Sequence, residues 1–341
     1  MTSSQRSIGW GVVATGAIAH NVAGDLRLLE DSRLAAVSSR RLDRAEAFAR
    51  DLGVDRAYDD VRALVDDPAV DVVYVATPHA QHAPVVELAL EAGKAVLCEK
   101  AFTTSLADTT RLAELARKRG VFCMEAMWTR FNPLITRLRQ LVADGAIGDV
   151  RAVSADLGFV APADRTDRLW DPTLGGGVLL DVGIYPVAFA QMLLGAPSAL
   201  TVTGTLNEQG VDNEAGLLLT WPAGVRAHLD VSLISPIPGS ALVMGTTGRI
   251  EVPPRFHAAT VMRLVHAPAR GVEETQTFEW EKEGRGYLPM LRAVAQAVRE
   301  GRTECPEMPL AHTVEIAGIL ERALDGLGVR YPEPAPVESL R

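Results

Sequence analysis

The chain has 341 residues, of which 48% are hydrophobic, and its formal net charge is −9 at pH 7. This length allows two domains with a sizeable core. The negative charge argues against a nucleic-acid surface, which needs clustered lysine and arginine, and it gives no basic patch for anionic lipids. No run of about 18 apolar residues occurs, so we expect no membrane span.

The three cysteines predict the compartment. Cys98, Cys123 and Cys305 are too few and too scattered for a disulfide framework. Cys98 and Cys123 lie in apolar runs, which is typical of buried, reduced thiols. We therefore expect a cytoplasmic protein.

The first recognisable unit is a short apolar strand from Ile8, a turn of small residues and then a helix. This order is typical of a dinucleotide-binding opening, in which the helix N-terminus receives the phosphates. Gly16 has no Cβ, so the backbone can approach a pyrophosphate closely. Ala14 stands where the G-x-G-x-x-G/A fingerprint has its first glycine, and an ordinary buried strand–helix turn explains the stretch about as well. The cofactor-binding candidates here are Ala14, Thr15, Gly16, Ala17 and Ile18.

The chain up to about residue 125 alternates predicted strands with helices. Strands are predicted at 33–37, 70–76, 95–98 and 121–124, and helices at 43–52, 82–92 and 105–118. Alternation of this kind predicts a parallel doubly wound sheet with right-handed crossovers, which is a Rossmann-like fold. We assign residues 1–125 to a dinucleotide-binding domain.

The pattern changes after Met124. Helices are predicted at 133–143, 179–194, 287–299 and 311–327, and strands at 150–159, 200–206, 215–221, 226–234, 241–244, 262–266 and 274–280. Consecutive strands without helices between them predict a large, mostly antiparallel open sheet. We assign residues 126–331 to an α/β domain for substrate binding and oligomerisation.

The end of the second strand indicates which dinucleotide binds. The Rossmann fingerprint places an acid there for the ribose 2′-hydroxyl, but this chain has Ser38, Ser39, Arg40 and Arg41. Two hydroxyls and two guanidinium groups suit a 2′-phosphate, which favours NADP over NAD. The other interpretation is a solvated arginine pair that opens a loop.

The third long strand ends in Thr77, Pro78 and His79, at the edge where open α/β sheets bind ligands. We predict that these residues line the cofactor and that His82, also assigned to the cofactor site, opens the next helix. His79 and His82 have a His-x-x-His spacing, but no other metal-ligating side chain clusters with them in the sequence. We therefore predict no metal.

Glu99 and Lys100 directly follow the next predicted strand, 95–98. A charged pair at the end of a buried strand is unusual, because lysine is rarely buried without a functional role. Lys100 could supply a proton, or a positive charge beside a developing alkoxide, and Glu99 could orient the ribose or the lysine. An ion pair that merely covers the strand end is the alternative.

A second group of polar residues follows the glycines 175–177. Asp181 and Tyr185 are four residues apart, so they share one face of a helix and could form an acid–base pair. The alternative is a structural glycine turn with a tyrosine capped by an aspartate. Arg168 and Trp170, just before the glycines, add a cation and an aromatic ring on a loop.

Taken together, these motifs resemble the Gfo/Idh/MocA oxidoreductases, and most closely their branch of dihydrodiol and NADP-dependent D-xylose dehydrogenases. The segments that carry the resemblance are, in chain order, Ala-Thr-Gly-x-x-Ala from 14, Ala-Thr-Pro-His-x-x-His from 76, Glu-Lys-Ala from 99, Glu-Ala-Met-Trp-x-Arg-Phe-x-Pro from 125 and Gly-Gly-Gly-x-x-x-Asp-x-Gly-x-Tyr-Pro from 175. The family usually has proline where this chain has Ala101.

The resemblance implies an N-terminal Rossmann domain and a C-terminal α/β domain whose open sheet often builds a dimer. It also implies that Lys100 and Tyr185 are the catalytic pair, with Asp181 beside them. We therefore predict an NADP(H)-dependent dehydrogenase, with NAD as a possible cofactor, that acts on a secondary alcohol or carbonyl of a sugar or cyclic diol.

The remaining predictions concern partners. The substrate is expected to be a small molecule, and the protein a homo-oligomer with no nucleic-acid partner. A non-catalytic NADP-binding regulator and an NAD-retaining glycosidase-type enzyme are the alternatives. The predicted pocket mixes stacking surfaces with groups that bind hydroxyls: Trp128, Arg130, Phe159, Arg168 and Trp170.

Overall fold

Two β-sheets organise the chain, one in each of two compact units. The computed structural model describes residues 7–164 and 166–333. The first unit contains the chain up to Trp128 and the returning segment Glu283–Val314; the second contains Thr129–Lys282 and Glu315–Pro332.

The first unit has a six-stranded parallel sheet in the order β3-β2-β1-β4-β5-β6. Its strands are β1 Ile8–Val13, β2 Ser32–Ser38, β3 Arg56–Tyr58, β4 Val72–Val75, β5 Ala95–Cys98 and β6 Cys123–Glu125. The order reverses between β1 and β4, which is the switch point where such sheets bind ligands. The predicted Rossmann fold is thus confirmed.

The helices of this unit are α1 Ala17–Leu26, α2 Leu42–Leu52, α3 Val61–Asp66, α4 His82–Glu91 and α5 Leu106–Arg119. Local signals set the bounds of α5: the Ser105 side chain accepts from the Asp108 N–H, and Gly120 ends the helix in the left-handed conformation. The sequence pattern predicts neither β3 nor α3. Both are short, and β3 is an edge strand whose side chains remain partly exposed, so neither has a clear hydropathy pattern.

The second unit has an eight-stranded sheet in the order β14-β13-β12-β11-β7-β10-β9-β8. Its strands are β7 Val150–Gly158, β8 Ala199–Leu206, β9 Asp212–Thr220, β10 Arg226–Ser232, β11 Ala241–Gly245, β12 Gly248–Val252, β13 Val261–Ala269 and β14 Val272–Glu279. All pairs are antiparallel except β7 with β10. This confirms the predicted large, mostly antiparallel sheet.

Helix α6 Pro133–Ala143 has the predicted bounds, because Asn132 caps its first turn and Pro133 occupies its first position. The predicted helix 179–194 is instead a π-helical turn, Leu179–Gly183, followed by α7 Ile184–Leu194. The stretch Pro172–Leu194 is long and apolar enough to cross a membrane by composition, but 83% of its apolar window is buried inside the structure. It therefore has the burial expected of a core helix.

The last two helices are α8 Leu288–Arg299 and α9 Leu310–Leu327. Helix α8 belongs to the first unit, where it contacts α1. The Asp25 carboxylate at the end of α1 accepts hydrogen bonds from the backbone of Arg285 and Tyr287, at 2.9 Å each. The predicted division at residue 125 assigns the whole segment 126–331 to the second domain, whereas the structure places Glu283–Val314 in the first unit.

Candidate active site

The turn between β1 and α1 leads into a helix N-terminus that, among the described residues, has no side-chain cap. Gly16 precedes α1, and a Cβ built on it would meet nothing within 4 Å. Ala14 has a φ of +88°, a conformation that favours glycine. The chain therefore follows a glycine-like path where the fingerprint has its first glycine, and it carries an alanine there.

The two predicted phosphate-binding arginines at the end of β2 differ in their contacts. Arg41 is held by its neighbour, with its Nε 3.0 Å from the Asp43 carboxylate. Arg40 is exposed and forms no ion pair with any residue that the structure describes. Ser38 is buried, and within the same described residues its hydroxyl has no hydrogen-bond partner.

The end of β4 places three predicted residues. The Thr77 hydroxyl is buried and has no hydrogen-bond partner among the described residues. His79 lies in a short 3₁₀ turn after Pro78, with its Nε2 3.2 Å from the Lys100 carbonyl. Strands β2 and β4 lie on either side of β1, and near the end of each stands a hydroxyl that has no hydrogen-bond partner in the part of the chain that the structure describes.

His82 is fully buried at the start of α4. Its Nε2 lies 2.8 Å from the Thr77 carbonyl and its Nδ1 2.9 Å from the Ala101 carbonyl. Burial lowers the pKa of His82 to about 4, so the ring is neutral at pH 7 and donates through one nitrogen at a time. His82 opens α4 as predicted, and its ring braces the segment after Lys100.

Lys100 follows β5, and the residue before it is firmly held. The buried Glu99 carboxylate accepts a hydrogen bond of 2.6 Å from the Tyr74 hydroxyl. Burial, and then the charge of Glu99, raise the pKa of Tyr74 well above its ordinary value, so the phenol remains a donor. Lys100 itself is partly exposed, and the peptide bond between Lys100 and Ala101 is cis.

In the second unit, a glycine turn leads into the helical segment that carries Asp181 and Tyr185. Gly175 and Gly177 have φ values of +73° and +119°. A Cβ on Gly177 would lie 2.1 Å from the Asp212 carboxylate. Only glycine therefore lets this carboxylate reach the first turn of the helical segment.

Asp212 opens β9 and is fully buried. Its Oδ2 accepts from the Leu179 N–H at 2.7 Å, while its Oδ1 has no hydrogen-bond partner within the described chain. Burial raises the pKa of Asp212 to about 6. The turn is also tied from the other side, because the Tyr331 hydroxyl donates to the Gly176 carbonyl at 2.6 Å.

Asp181 and Tyr185 both have little solvent exposure. Asp181 lies within the π-helical turn, and its Oδ1 accepts a hydrogen bond of 2.9 Å from Arg168. The Tyr185 ring stands 5.2 Å, between centroids, from the imidazole of His257. A π turn inside a helix often marks a functional site.

The predicted pocket residues differ in what they can offer. Trp170 is buried, with its Nε1 donating to the Pro162 carbonyl at 2.8 Å, whereas Phe159 is 38% exposed. Trp128 packs against Tyr287 within the first unit, with the ring centroids 4.8 Å apart and the ring planes tilted by 48°. Arg130 is fully buried and bonds to the Gln191 side chain, so its role in binding substrate stays a prediction.

Three residues with contacts in these sites are not predicted from the sequence. Asp212, His257 and Tyr287 are each far in sequence from their contacts with Leu179, Tyr185 and Trp128. None of them belongs to a local motif. In the sequence, Asp212 lies between the predicted strands 200–206 and 215–221, and His257 lies between the predicted strands 241–244 and 262–266, so only the folded chain reveals their positions.

The residues at the sheet edge fit a dinucleotide. Within residues 7–164 and 166–333, the buried hydroxyls of Ser38 and Thr77 have no hydrogen-bond partner and Arg40 has no ion pair, and all three lie at or just after the ends of strands, at the edge of the sheet where α1 begins. Hydroxyl, guanidinium and backbone N–H groups are the donors that ribose and phosphate oxygens require. In the described part of the chain, no group of three or more His, Cys, Asp or Glu side chains could hold a metal ion.

Comparison with protein families gives two adjacent matches. Residues 8–127 match the model described as "Oxidoreductase family, NAD-binding Rossmann fold" of the Gfo/Idh/MocA group. Residues 135–251 match the Gfo/Idh/MocA C-terminal domain.

Similar proteins extend the match over almost the whole chain. The mouse (Mus musculus) trans-1,2-dihydrobenzene-1,2-diol dehydrogenase is 37% identical over 338 residues, which cover 95% of this chain and 98% of that protein. The human (Homo sapiens) enzyme of the same name is 35% identical over 332 residues, with the same coverage.

Solved structures agree with the sequence matches. The 3-ketoreductase KijD10 from Actinomadura kijaniata, in complex with NADP and TDP-benzene, superposes with a TM-score of 0.83 at 28% identity. The match covers 94% of this chain and 98% of that one. The aldose-aldose oxidoreductase from Caulobacter crescentus, complexed with glycerol, gives 0.84 at 26% identity and covers 95% and 98%.

Proposed function

The chain belongs to the Gfo/Idh/MocA oxidoreductase family, and on that basis we propose that it interconverts a secondary alcohol and a carbonyl of a sugar or cyclic diol with NADP(H). The similar mouse and human proteins are named for a cyclic diol, and the similar solved structures include a ketoreductase with NADP and an aldose-aldose oxidoreductase. When bound, the nicotinamide would supply or accept the hydride.

The observation that carries the proposal is the environment of Lys100. Its backbone is held by His79, and Glu99 before it is held by Tyr74. These contacts fix the direction in which the strand end points, at the edge of the sheet where cofactors bind. The Lys100 ammonium group, carried on this held backbone, would stabilise a developing alkoxide.

The choice of NADP is supported by the end of β2. Arg40 has no carboxylate partner in the described residues, and the buried Ser38 hydroxyl has no hydrogen-bond partner there. A 2′-phosphate would give both groups a partner. An NAD ribose would offer Arg40 no charge to pair with.

Tyr185 is the proposed proton donor in carbonyl reduction. When bound, NADPH would supply the hydride for the carbonyl carbon and would itself be oxidised to NADP⁺, while the Tyr185 phenol would give its proton to the carbonyl oxygen, so that an alcohol forms. The resulting phenolate regains a proton from water. Asp181, held at 2.9 Å by Arg168, lies one helical turn before the phenol and is proposed to orient the substrate hydroxyl.

The first experiment follows NADPH absorbance while the protein is incubated with D-xylose, D-glucose or trans-cyclohexane-1,2-diol and NADP⁺. We expect turnover with at least one of them. Binding of NADPH without turnover on any probe favours the regulator. In a parallel incubation with a glycoside, release of the sugar with no net change in NADPH absorbance favours the glycosidase-type alternative.

The second experiment tests the catalytic pair. We expect Lys100→Met and Tyr185→Phe each to lower kcat by roughly a hundredfold or more, the usual scale of acid–base catalysis. If the two groups act on the same proton, the double variant is barely slower than the poorer single one. NADPH fluorescence should show nearly unchanged cofactor binding for Tyr185→Phe, and a normal kcat in that variant would remove the tyrosine from the mechanism.

We also propose that the protein is a cytoplasmic homodimer. Cys98, Cys123 and Cys305 are all buried and unpaired, which suits a reducing compartment. Cell fractionation checks the location. The dimer is proposed to form through the open face of the eight-stranded sheet, where strands β7 to β10 line a shallow depression of about 520 Å³.

A further inference from the structure

A short turn in the second unit is anchored on several sides. Arg255 begins it with a φ of +71°, and a single 3₁₀ turn follows at Phe256–Ala258. The Phe256 N–H donates to the Gly239 carbonyl at 2.8 Å, and the Thr129 hydroxyl donates to the His257 carbonyl at 2.9 Å. These backbone bonds fix the place of the turn independently of the His257 side chain.

The turn presents two rings to α7. Phe256 is fully buried and packs edge-on against Phe189, at 5.5 Å between centroids. His257 faces Tyr185 at 5.2 Å with the rings tilted by 42°. Because Tyr185 and Phe189 are four residues apart, they lie on one face of α7, and the turn packs one ring against each of them.

The two contacts are chemically different. The ring that packs against Phe189 is the apolar side chain of Phe256. The ring that packs against Tyr185 is the imidazole of His257, and an imidazole has an ordinary pKa of about 6.5, which lies near neutral pH. A positive charge within about 6 Å of a phenol favours the phenolate and makes the phenol a stronger acid. The contact therefore bears on the proposed proton donor.

Other charged groups lie on the elements that carry the two rings or pack against them. On the helical side, Asp181 is paired with Arg168, and the buried Arg130 guanidinium donates to the Ala188 carbonyl at 3.3 Å and to Gln191. On its own turn, His257 follows Arg255.

We propose that His257 is a positioning residue for Tyr185, holding the phenol ring and increasing its acidity when the imidazole is protonated. The inference rests on the proposed role of Tyr185 as proton donor. It assigns the pH dependence of carbonyl reduction in the near-neutral range to His257. No proton has to pass between the rings, because the effect is electrostatic.

The test uses two substitutions with opposite consequences. His257→Phe keeps a ring and removes the charge, whereas His257→Arg keeps a charge at every pH and can stack on an aromatic face. The probe is cyclohexane-1,2-dione with NADPH, followed between about pH 5.5 and about pH 8, a range that brackets the ordinary imidazole pKa. His266→Phe, which removes an exposed histidine from β13, is the control.

In the unsubstituted protein and in His266→Phe, we expect kcat for reduction to rise about threefold to tenfold as the pH falls through the imidazole pKa. His257→Phe should be flat at the lower rate and His257→Arg flat at the higher rate. A rise that persists in His257→Phe overturns the inference. So does an equal loss of rate at every pH in both variants, which indicates packing alone.

A second readout does not depend on turnover. The phenolate absorbance of each variant is titrated with and without Tyr185→Phe, and the difference isolates the Tyr185 phenol. We expect its pKa to be about one unit or more lower in His257→Arg than in His257→Phe, and equal values overturn the inference. Normal kcat in Tyr185→Phe, by contrast, contradicts the proposed function itself.

Discussion

Two adjacent arginines at the end of β2 differ in what holds them. Arg41 is paired with Asp43, and the side-chain hydrogen bond between them lowers the pKa of Asp43. Arg40 has no such partner among the described residues. We therefore expect Arg40, and not Arg41, to carry the preference for the 2′-phosphate.

Arg40→Ala should raise the KM for NADP about tenfold or more and leave the KM for NAD nearly unchanged, because a charge-assisted pair contributes on the order of 1.5–3 kcal/mol. Arg41→Ala is the matched control, and its effect should be several-fold smaller. Steady-state kinetics with both cofactors measure this. Equal KM values for NADP and NAD in the unsubstituted protein would contradict the assignment.

A single buried carboxylate gives the second prediction. Burial raises the pKa of Asp212 to about 6 in the folded protein, from 3.8 for a free side chain. The folded state thus holds this proton more tightly than the unfolded state, and the free energy of unfolding falls as the pH rises from about 4 to about 6. A shift of about two units corresponds to a loss on the order of 3 kcal/mol at pH 7.

Asp212→Asn cannot ionise and should lack this loss. Urea unfolding at several pH values between about 4 and about 7 measures it, as the difference between the variant and the unsubstituted protein. We expect the variant to gain stability relative to the unsubstituted protein as the pH rises through this window. A difference that is constant with pH would show that Asp212 ionises without cost.

At the level of elements, the helical segment with Asp181 and Tyr185 depends on the turn before it. Gly177 combines a φ of +119° with the close approach of Asp212. Gly177→Ala should therefore cost about 2–4 kcal/mol, from backbone strain and crowding together, and should lower kcat because the cap on Leu179 is displaced.

Gly120→Ala is the control for this prediction. Gly120 also has a positive φ, +63°, at the end of α5, but an added Cβ would meet nothing within 4 Å. Its substitution should cost only about 1–2 kcal/mol and leave kcat unchanged. Denaturant unfolding measures the free energy of unfolding of both variants. Equal losses in the two variants would mean that the Asp212 carboxylate moves away from the added Cβ without an energetic penalty.

At the scale of the molecule, the open face of the second sheet is the proposed dimer surface. Leu218 on β9 is 37% exposed within the depression, and Asp230 on β10 lies opposite Asp156 on β7. Burial, followed by the charges of Asp156 and Glu214, raises the pKa of Asp230. An exposed aliphatic side chain in a concave surface favours contact with a second copy.

Leu218→Glu should convert the dimer to a monomer, because it buries an unpaired charge in the interface. Val272→Glu, a substitution of another exposed aliphatic residue on the edge strand β14, should leave the dimer intact. Light scattering at micromolar concentration measures the mass of each. A monomer in the unsubstituted protein would overturn the proposed assembly.

Many of the strands and helices can be predicted from local patterns in the sequence. The run Ala95–Cys98 is wholly apolar and Lys100 follows it, so a buried strand with a charged end could be predicted from hydropathy alone. Helix α6 could be predicted from Asn132 and Pro133, because capping acts within one turn. The alternation of strands and helices in the first 125 residues sufficed for the Rossmann sheet, and the consecutive strands after it for the second sheet.

Only the tertiary structure decided which side chains meet across long stretches of chain. It pairs Arg41 with Asp43, whereas Arg40 has no ion-pair partner among the described residues. It places the Asp212 carboxylate on the Leu179 N–H and the His257 ring against Tyr185. It also returns α8 to the first unit, with Tyr287 on Trp128. Local periodicity reports only which face of an element is buried, whereas these contacts depend on the packing of elements that are distant in sequence.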